Sequence, residues 1–202
     1  MTLLYLIRHA RSTWNATSRM QGWADPPLDD IGREQARALA ASLQAESLDA
    51  VYSSPLLRAR ETAEIIAAPL NIKIKLDDRL KERNIGEWTG LTGDEANERF
   101  PERFNGNWRI VGPPGGETQE ILVKRAAAAI NDIIAAHPDE IIAVVSHGGT
   151  LNTYLAHALG IPLEKPTHFA LPNTGFIRLH VEDKKIYLLG DDRHLNNMSD
   201  VA

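Results

Sequence analysis

The sequence predicts an α/β fold, a three-layer α/β/α sandwich on a mainly parallel central sheet. Strand-like and helix-like segments alternate along the 202 residues. Two short runs, 3–7 and 141–145, are apolar without alternation, as strands buried on both faces are. Each run leads into a histidine, His9 or His147, at the carboxyl end of its strand, where open α/β sheets bind ligands. If the two strands are neighbours, the two imidazoles stand side by side.

Each element has its own local cause. The first strand covers about residues 2–8, and a polar loop with Gly22, Pro26 and Pro27 runs on to residue 30. A helix over 31–46 sets Ala36, Leu39, Ala40 and Leu43 on one face. Residues 48–53 form a short strand; Ser54 as N-cap and Pro55 in the first turn then open a helix to about 68. The alternating segment 72–76 reads as an edge strand, which a second copy would pair with in a homodimer. Residues 83–116 read as irregular, rich in glycine and proline, with Trp88 and Trp108. Such a stretch inside one compact domain, here 1–202, reads as a lid insertion in which Trp88, Phe100, Phe104 and Trp108 shape a pocket. A helix over 117–136, a strand over 141–146 and a helix over 149–158 follow. Segments 176–181 and 186–189 read as a hairpin joined by 182–185, and the tail from Asp191 is polar.

Composition removes several classes of function. A net charge of −5 argues against general nucleic-acid binding, which needs a broad basic face. With no cysteine there is no disulfide framework, thiolate metal site or cysteine nucleophile. No apolar run approaches the ~20 residues that span a bilayer, so no membrane association is expected. Met1–Thr2 leads straight into a strand with no signal peptide, and together these features point to the cytoplasm. His137 sits where it would cap a helix, while His157, His168, His180 and His194 have no metal-ligand spacing and read as surface residues.

The chemistry gathers elsewhere. A phosphoryl group needs cationic donors for its oxygens and a nucleophile on its open face. Arg8–His9 offers both, since an imidazole attacks through one nitrogen when the other is held by a hydrogen bond. Arg58, early in a helix, adds a guanidinium fork where free backbone N–H groups already favour anions. The amides of Asn15 and Gln21 lie in the loop after the first strand as further donors.

Arg8-His9-Ala10-Arg11-Ser12-Thr13-Trp14-Asn15, Gln21-Gly22, Ser53-Ser54-Pro55-Leu56-Leu57-Arg58-Ala59, Leu80-Lys81-Glu82, Gly86-Glu87-Trp88-Thr89-Gly90, Gly115-Gly116-Glu117 and Ser146-His147-Gly148-Gly149 occur in this order. Together they resemble the histidine phosphatase superfamily, in its phosphoglycerate-mutase-like branch. The resemblance implies a phosphoglycerate-mutase-like fold, with His9 as the nucleophile that becomes phosphohistidine. It makes Arg8, Arg58 and His147 the rest of the phosphate pocket and Glu82 the proton donor to the leaving oxygen. Asn15, Gln21, Gly22 and Gly148 match substrate-binding positions. The family usually has glycine where this chain has Ala10; a positive φ there would strain an alanine.

Glu82 also suits that role chemically: a carboxylic acid partly removed from water can protonate a departing alkoxide and then activate water. Two arginines and an imidazolium balance the phosphoryl charge, so neither metal nor cofactor is needed. No Asp-x-Asp pair and no Gly-x4-Gly-Lys loop occurs. The sequence favours a metal-independent phosphomonoesterase acting on a small phosphorylated metabolite. The alternatives are a 2,3-bisphosphoglycerate-dependent phosphoglycerate mutase and, in another class, an inactive module that binds phospho-ligands. The basic residues of the insertion, Arg83, Arg99, Arg103 and Arg109, are scattered, which argues against the tandem cations of a mutase.

Overall fold

A computed structural model describes residues 2–165, 169–181 and 185–196, and the side chains of these apart from 185–189. In chain order the elements are β1 (Leu3–Arg8), α1 (Asp30–Leu43), β2 (Ala50–Ser53), α2 (Leu57–Ala67), β3 (Lys75–Leu76), α3 (Gly93–Arg99), α4 (Pro101–Phe104), α5 (Trp108–Val111), α6 (Gln119–Ala136), β4 (Ile141–Ser146), α7 (Gly148–Ala158), β5 (Phe176–His180) and β6 (Lys185–Asp191). The strands form one sheet in the order β3-β2-β4-β1-β5-β6. The first four are mutually parallel, and the β5–β6 hairpin adds an antiparallel edge beside β1. This is the mixed α/β sandwich that the sequence predicts.

Both faces of the central strands are covered, which is why their sequences do not alternate. Leu4, Leu6, Ile142 and Val144 pack with Ala126, Ile130 and Ile133 of α6 and Leu151 and Leu155 of α7. Tyr5, Ile7, Ala143 and Val145 pack on the opposite face with Leu39 and Leu43 of α1 and Ala63 and Ile66 of α2. The chain thus leaves β1 toward one face and β4 toward the other. Their carboxyl ends form the switch point at which such sheets open a crevice.

Three local expectations are corrected. Leu56, not Ser54, is the N-cap of α2, and no side chain caps it. The β3 edge is shorter than the alternation suggests: Ile72 and Ile74 pack against the core from outside the strand, and Leu76 is exposed. Segment 83–116 is not irregular but holds α3, α4 and α5. Thr92 and Glu95 close a reciprocal capping box on α3, and Pro101 starts α4. These helices are too short to show a periodic apolar face. Trp88 is fully buried, 5.3 Å from the Phe104 ring and 5.2 Å from that of Trp108, giving the segment a small core of its own. His168, residues 182–184 and the end of the polar tail lie outside the described residues. Among the described residues, no helix is long and apolar enough to cross a membrane.

Candidate active site

The parallel register of β1 on β4 pairs Arg8 with Ser146, and the N–H of His9 donates to the Ser146 carbonyl at 2.9 Å. The next residue on each strand is a histidine, and the two rings lie 5.2 Å apart at 58°. The Nδ1 of His9 must donate to the Ala10 carbonyl at 2.7 Å, because that oxygen can only accept. The proton is therefore fixed on Nδ1, and Nε2 keeps its lone pair. Ala10 is buried and does not have a positive φ, so alanine is unstrained there.

The cationic groups converge on the same crevice. Arg8 is anchored through Nη1 to the Leu171 carbonyl at 2.8 Å. Arg58 is fully buried, and its two Nη atoms hold the carbonyls of Ala24 and Gly22 at 2.8 and 2.9 Å. Its fork thus shapes the loop as well as the pocket. Gly22 has φ +48°, and a Cβ there would lie 2.5 Å from Ile85. The Nε atoms of Arg8 and Arg58 and Nδ1 of His147 are buried without a hydrogen-bond partner. Buried donors are rarely left unmade in a folded protein, and both of these arginines line the crevice that holds His9.

Burial and the guanidinium groups of Arg58 and Arg8 push His9 well below the ordinary imidazole range. Burial and Arg58 do the same to His147. The sequence reading counts an imidazolium among the cations; the structure instead favours two neutral rings, and the guanidinium groups carry the charge. Nε2 of His147 shares a 2.8 Å hydrogen bond with Ser54 Oγ, which is the real task of the serine expected to cap α2.

Glu82 meets the N-terminus of α7. Its Oε2 accepts from Gly149 N at 3.0 Å, and Oε1 from Thr150 N at 3.1 Å and Arg83 N at 2.7 Å. A Cβ on Gly149 would lie 2.6 Å from Oε1, whereas one on Gly148 would come no closer than 3.6 Å, to Arg8. Of the two glycines, it is therefore Gly149 that must lack a side chain. Ser12 hydroxyl sits within 2.9 Å of Asn15 Oδ1 and 2.8 Å of Gln21 Oε1. Ser12 N also donates to that Oδ1, so both amide oxygens are occupied inward and both NH₂ groups are left as donors.

Arg8, His9, Asn15, Gln21, Gly22, Arg58, Glu82 and Gly148 all line one cavity of about 610 Å³; His147, its ring 5.2 Å from that of His9, does not line it. Trp88, Trp108 and Arg109 form part of its far wall, while Phe100 and Phe104 do not line it. Sequence reasoning assigned no role to Ser12, Gly149 or Thr150, although the first two lie within the quoted motifs. It also missed the support beneath His9. Asn173 Nδ2 donates to the His9 carbonyl at 2.9 Å, and Thr174 N to that of Arg8 at 3.1 Å. Thr174 is buried at φ +58°, an unusual conformation for a β-branched residue. Its Oγ1 meets His194 Nε2 at 2.9 Å, so His194 is not a free surface residue. The ring of His137, at the end of α6, is spent on Tyr52 and Glu140.

The family model described as histidine phosphatase superfamily (branch 1) matches residues 4–191. Phosphoserine phosphatase 1 of Hydrogenobacter thermophilus is 34% identical over 195 residues, covering 94% of this chain and 91% of that protein. A metal-independent phosphoserine phosphatase of Arabidopsis thaliana is 38% identical over 158 residues, 75% of this chain and 66% of that protein. Among solved structures, YhfR of Bacillus stearothermophilus superposes with a TM-score of 0.87 at 35% identity, over 96% of this chain and all of that one.

Proposed function

This chain belongs to branch 1 of the histidine phosphatase superfamily and is a phosphatase, and on that premise we propose that it hydrolyses small phosphomonoesters through a phosphohistidine on His9, without a metal ion. One observation carries the reading: Arg8 and Arg58, each with a buried Nε that has no partner, flank a neutral imidazole whose free nitrogen is Nε2.

In the first half-reaction Nε2 attacks phosphorus, the P–O bond to the leaving group breaks, and Glu82 gives that oxygen a proton. In the second half-reaction the Glu82 carboxylate takes a proton from water, the hydroxide oxygen bonds to phosphorus, and the P–N bond breaks to restore His9. Positioned proton transfer of this kind contributes on the order of 10²–10⁴-fold. Two guanidinium groups supply the charge balance that a metal ion supplies in other phosphatases, and the name of the Arabidopsis relative agrees with this.

Segment 83–116 is, in this reading, a lid over the same cavity, with Trp88 and Trp108 facing the organic part of the substrate. Phosphoserine is the first substrate to test, because relatives are named for it. The experiment is phosphate release from a panel of phosphorylated metabolites, with and without exhaustive chelation, against a His9→Ala control. The proposal expects chelator-resistant release that the control lacks. Release restored only by a divalent cation, or equal release by the control, overturns it.

A further inference from the structure

We infer that Arg125, through its pair with Glu117, is a positioning residue that fixes Glu82 for proton transfer. The inference rests on the proposed role of Glu82 as proton donor.

A guanidinium has five N–H donors in a rigid fork, and in Arg125 all five are committed. Nε and one Nη2 proton grip the two oxygens of Glu117, each at 2.8 Å. The remaining donors take the carbonyls of Arg79 at 2.8 Å, Lys81 at 2.6 Å and Glu82 at 2.7 Å. Three carbonyls of one four-residue stretch thus end on a single side chain. The pair is sheltered, with side-chain exposures of 15% for Arg125 and 12% for Glu117. It is therefore not one of the screened surface pairs that contribute little.

Glu117 extends the clamp past Glu82. Its Oε2 accepts from Asn84 N at 2.7 Å, its own N–H donates to the Asn84 carbonyl at 2.8 Å, and its carbonyl accepts from Arg83 Nε at 3.0 Å. The backbone on both sides of Glu82 is thereby bound to one ion pair. Trp23 Nε1 donates to the Glu82 carbonyl at 2.7 Å, and Ser146 Oγ ties the Leu80 carbonyl to the end of β4 at 2.7 Å. With its carboxyl on the N-terminus of α7, Glu82 is held at both ends. Any fold must pair carbonyls as sheltered as these. A general acid asks for more, because its proton must start within hydrogen-bond reach of the leaving oxygen and a shift of about 1 Å can cost on the order of 10²-fold; the clamp that pairs the carbonyls also sets that position.

The test compares Arg125→Lys, Glu117→Gln and Glu82→Gln on phosphoserine, whose leaving oxygen is basic, and on 4-nitrophenyl phosphate, whose leaving oxygen needs little protonation. Lysine keeps the charge beside Glu117 but cannot span five acceptors, and Glu117→Gln keeps an amide oxygen as acceptor for Asn84 N. Either variant suffices if the other fails to fold by thermal melting. The expected result is a kcat on phosphoserine lower by about 10–100-fold, a much smaller loss on the aryl ester, and unchanged KM and orthophosphate inhibition. Adding Arg125→Lys to Glu82→Gln should cost nothing further, since both act on one proton transfer. Equal losses on both esters, or additive losses, while Glu82→Gln remains selective, would overturn the positioning role. If Glu82→Gln is itself unselective, the acid assignment has failed and this inference falls with it.

Discussion

Arg8 stands opposite Ser146 in the ladder between β1 and β4, and that single pairing places both imidazoles. Both strands end in step, each is followed at once by a histidine, and the rings meet at 5.2 Å. A slip of one residue would turn one ring to the other face of the sheet. The apolar runs that bury the two strands therefore also align the proposed nucleophile with its neighbour.

The hydrogen bond from His9 Nδ1 to the Ala10 carbonyl leaves the lone pair on Nε2, which makes Nε2 the attacking atom of the proposed mechanism. Rapid quench with phosphoserine, followed by mass spectrometry under conditions that spare phosphoramidates, should find the phosphoryl group on His9, attached to Nε2. Label on Nδ1 or on a serine would refute the geometry. His9→Ala should lose turnover while still binding orthophosphate, because Arg8 and Arg58 remain.

In the proposed mechanism Arg58 has a second task besides holding the loop, and its variants should separate the two. Arg58→Ala removes a donor aimed at the anion, and by analogy with removing one oxyanion donor it should cost about 3 kcal/mol in kcat/KM. It also frees the carbonyls of Gly22 and Ala24, so its melting temperature should fall. Arg58→Lys should recover part of the stability and little of the activity. An Arg58→Ala protein that binds orthophosphate as tightly as the wild type would take Arg58 out of the anion pocket.

Gly149→Ala is a finer probe of Glu82. The added methyl would lie 2.6 Å from Oε1, so the carboxyl must move while the fold has no reason to. Turnover of alkyl esters should drop on the order of 10²-fold, with a near-normal melting temperature. Gly148→Ala, whose Cβ meets Arg8 at an ordinary 3.6 Å, should lose less. The reverse order of losses would mean that Glu82 does not sit where proton transfer occurs.

Acid should weaken the fold through the buried rings. His9 and His147 are held neutral when folded, chiefly by burial, but take up protons at about 6.5 when unfolded. Below that pH the unfolded chain binds more protons, so stability falls with falling pH, by up to about 1.4 kcal/mol per pH unit for each ring. Above it the two rings add no slope. Melting curves from pH 8 to 5 should therefore show a shallower acid slope in His9→Gln than in the wild type. Identical slopes would show that His9 is protonated in the folded protein.

The strands at 3–8 and 141–146 were legible because burial on both faces leaves a continuous apolar run, and Arg8, His9 and His147 because they stand at the ends of those strands; Arg58, Glu82 and the loop residues Asn15, Gln21 and Gly22 were placed in the site by the ordered motifs and the family they resemble. Arg125 was not legible: it lies on the 119–136 helix among exposed and buried positions alike, and nothing in its spacing shows that carbonyls 79–82 will come to it. Thr174 was hidden for a similar reason, since its positive φ is imposed by contacts with Arg8 and His194, the first of them distant in sequence. The helices within 83–116 were missed because they are too short to show periodicity: α3 is held by its capping box, and Trp88 packs on Phe104 of α4 and Trp108 of α5.

In the proposed reading, the cations that line the cavity favour hydrolysis over phosphoryl return. A mutase must hold a bisphosphorylated intermediate while it reorients, with a second set of free cations and with water excluded. Arg19, Arg83, Arg109 and Lys165 do reach this cavity, although none is adjacent to another in sequence. Yet Arg83 donates to the carbonyls of Glu117 and Arg109 at 3.0 and 2.8 Å, and Arg19 to Gly90 and Glu95 at 2.6 and 3.2 Å. Arg109 lies 4.9 Å from the centre of the Trp108 ring. A cavity of about 610 Å³ has room for water beside a small monoester, since a water molecule occupies only about 30 Å³. Incubation with 3-phosphoglycerate and a trace of 2,3-bisphosphoglycerate should release inorganic phosphate faster than it forms 2-phosphoglycerate. Rapid interconversion that outpaces phosphate release from every monoester in the panel would make the chain a mutase and require Arg109 to leave the Trp108 face for the distal anion.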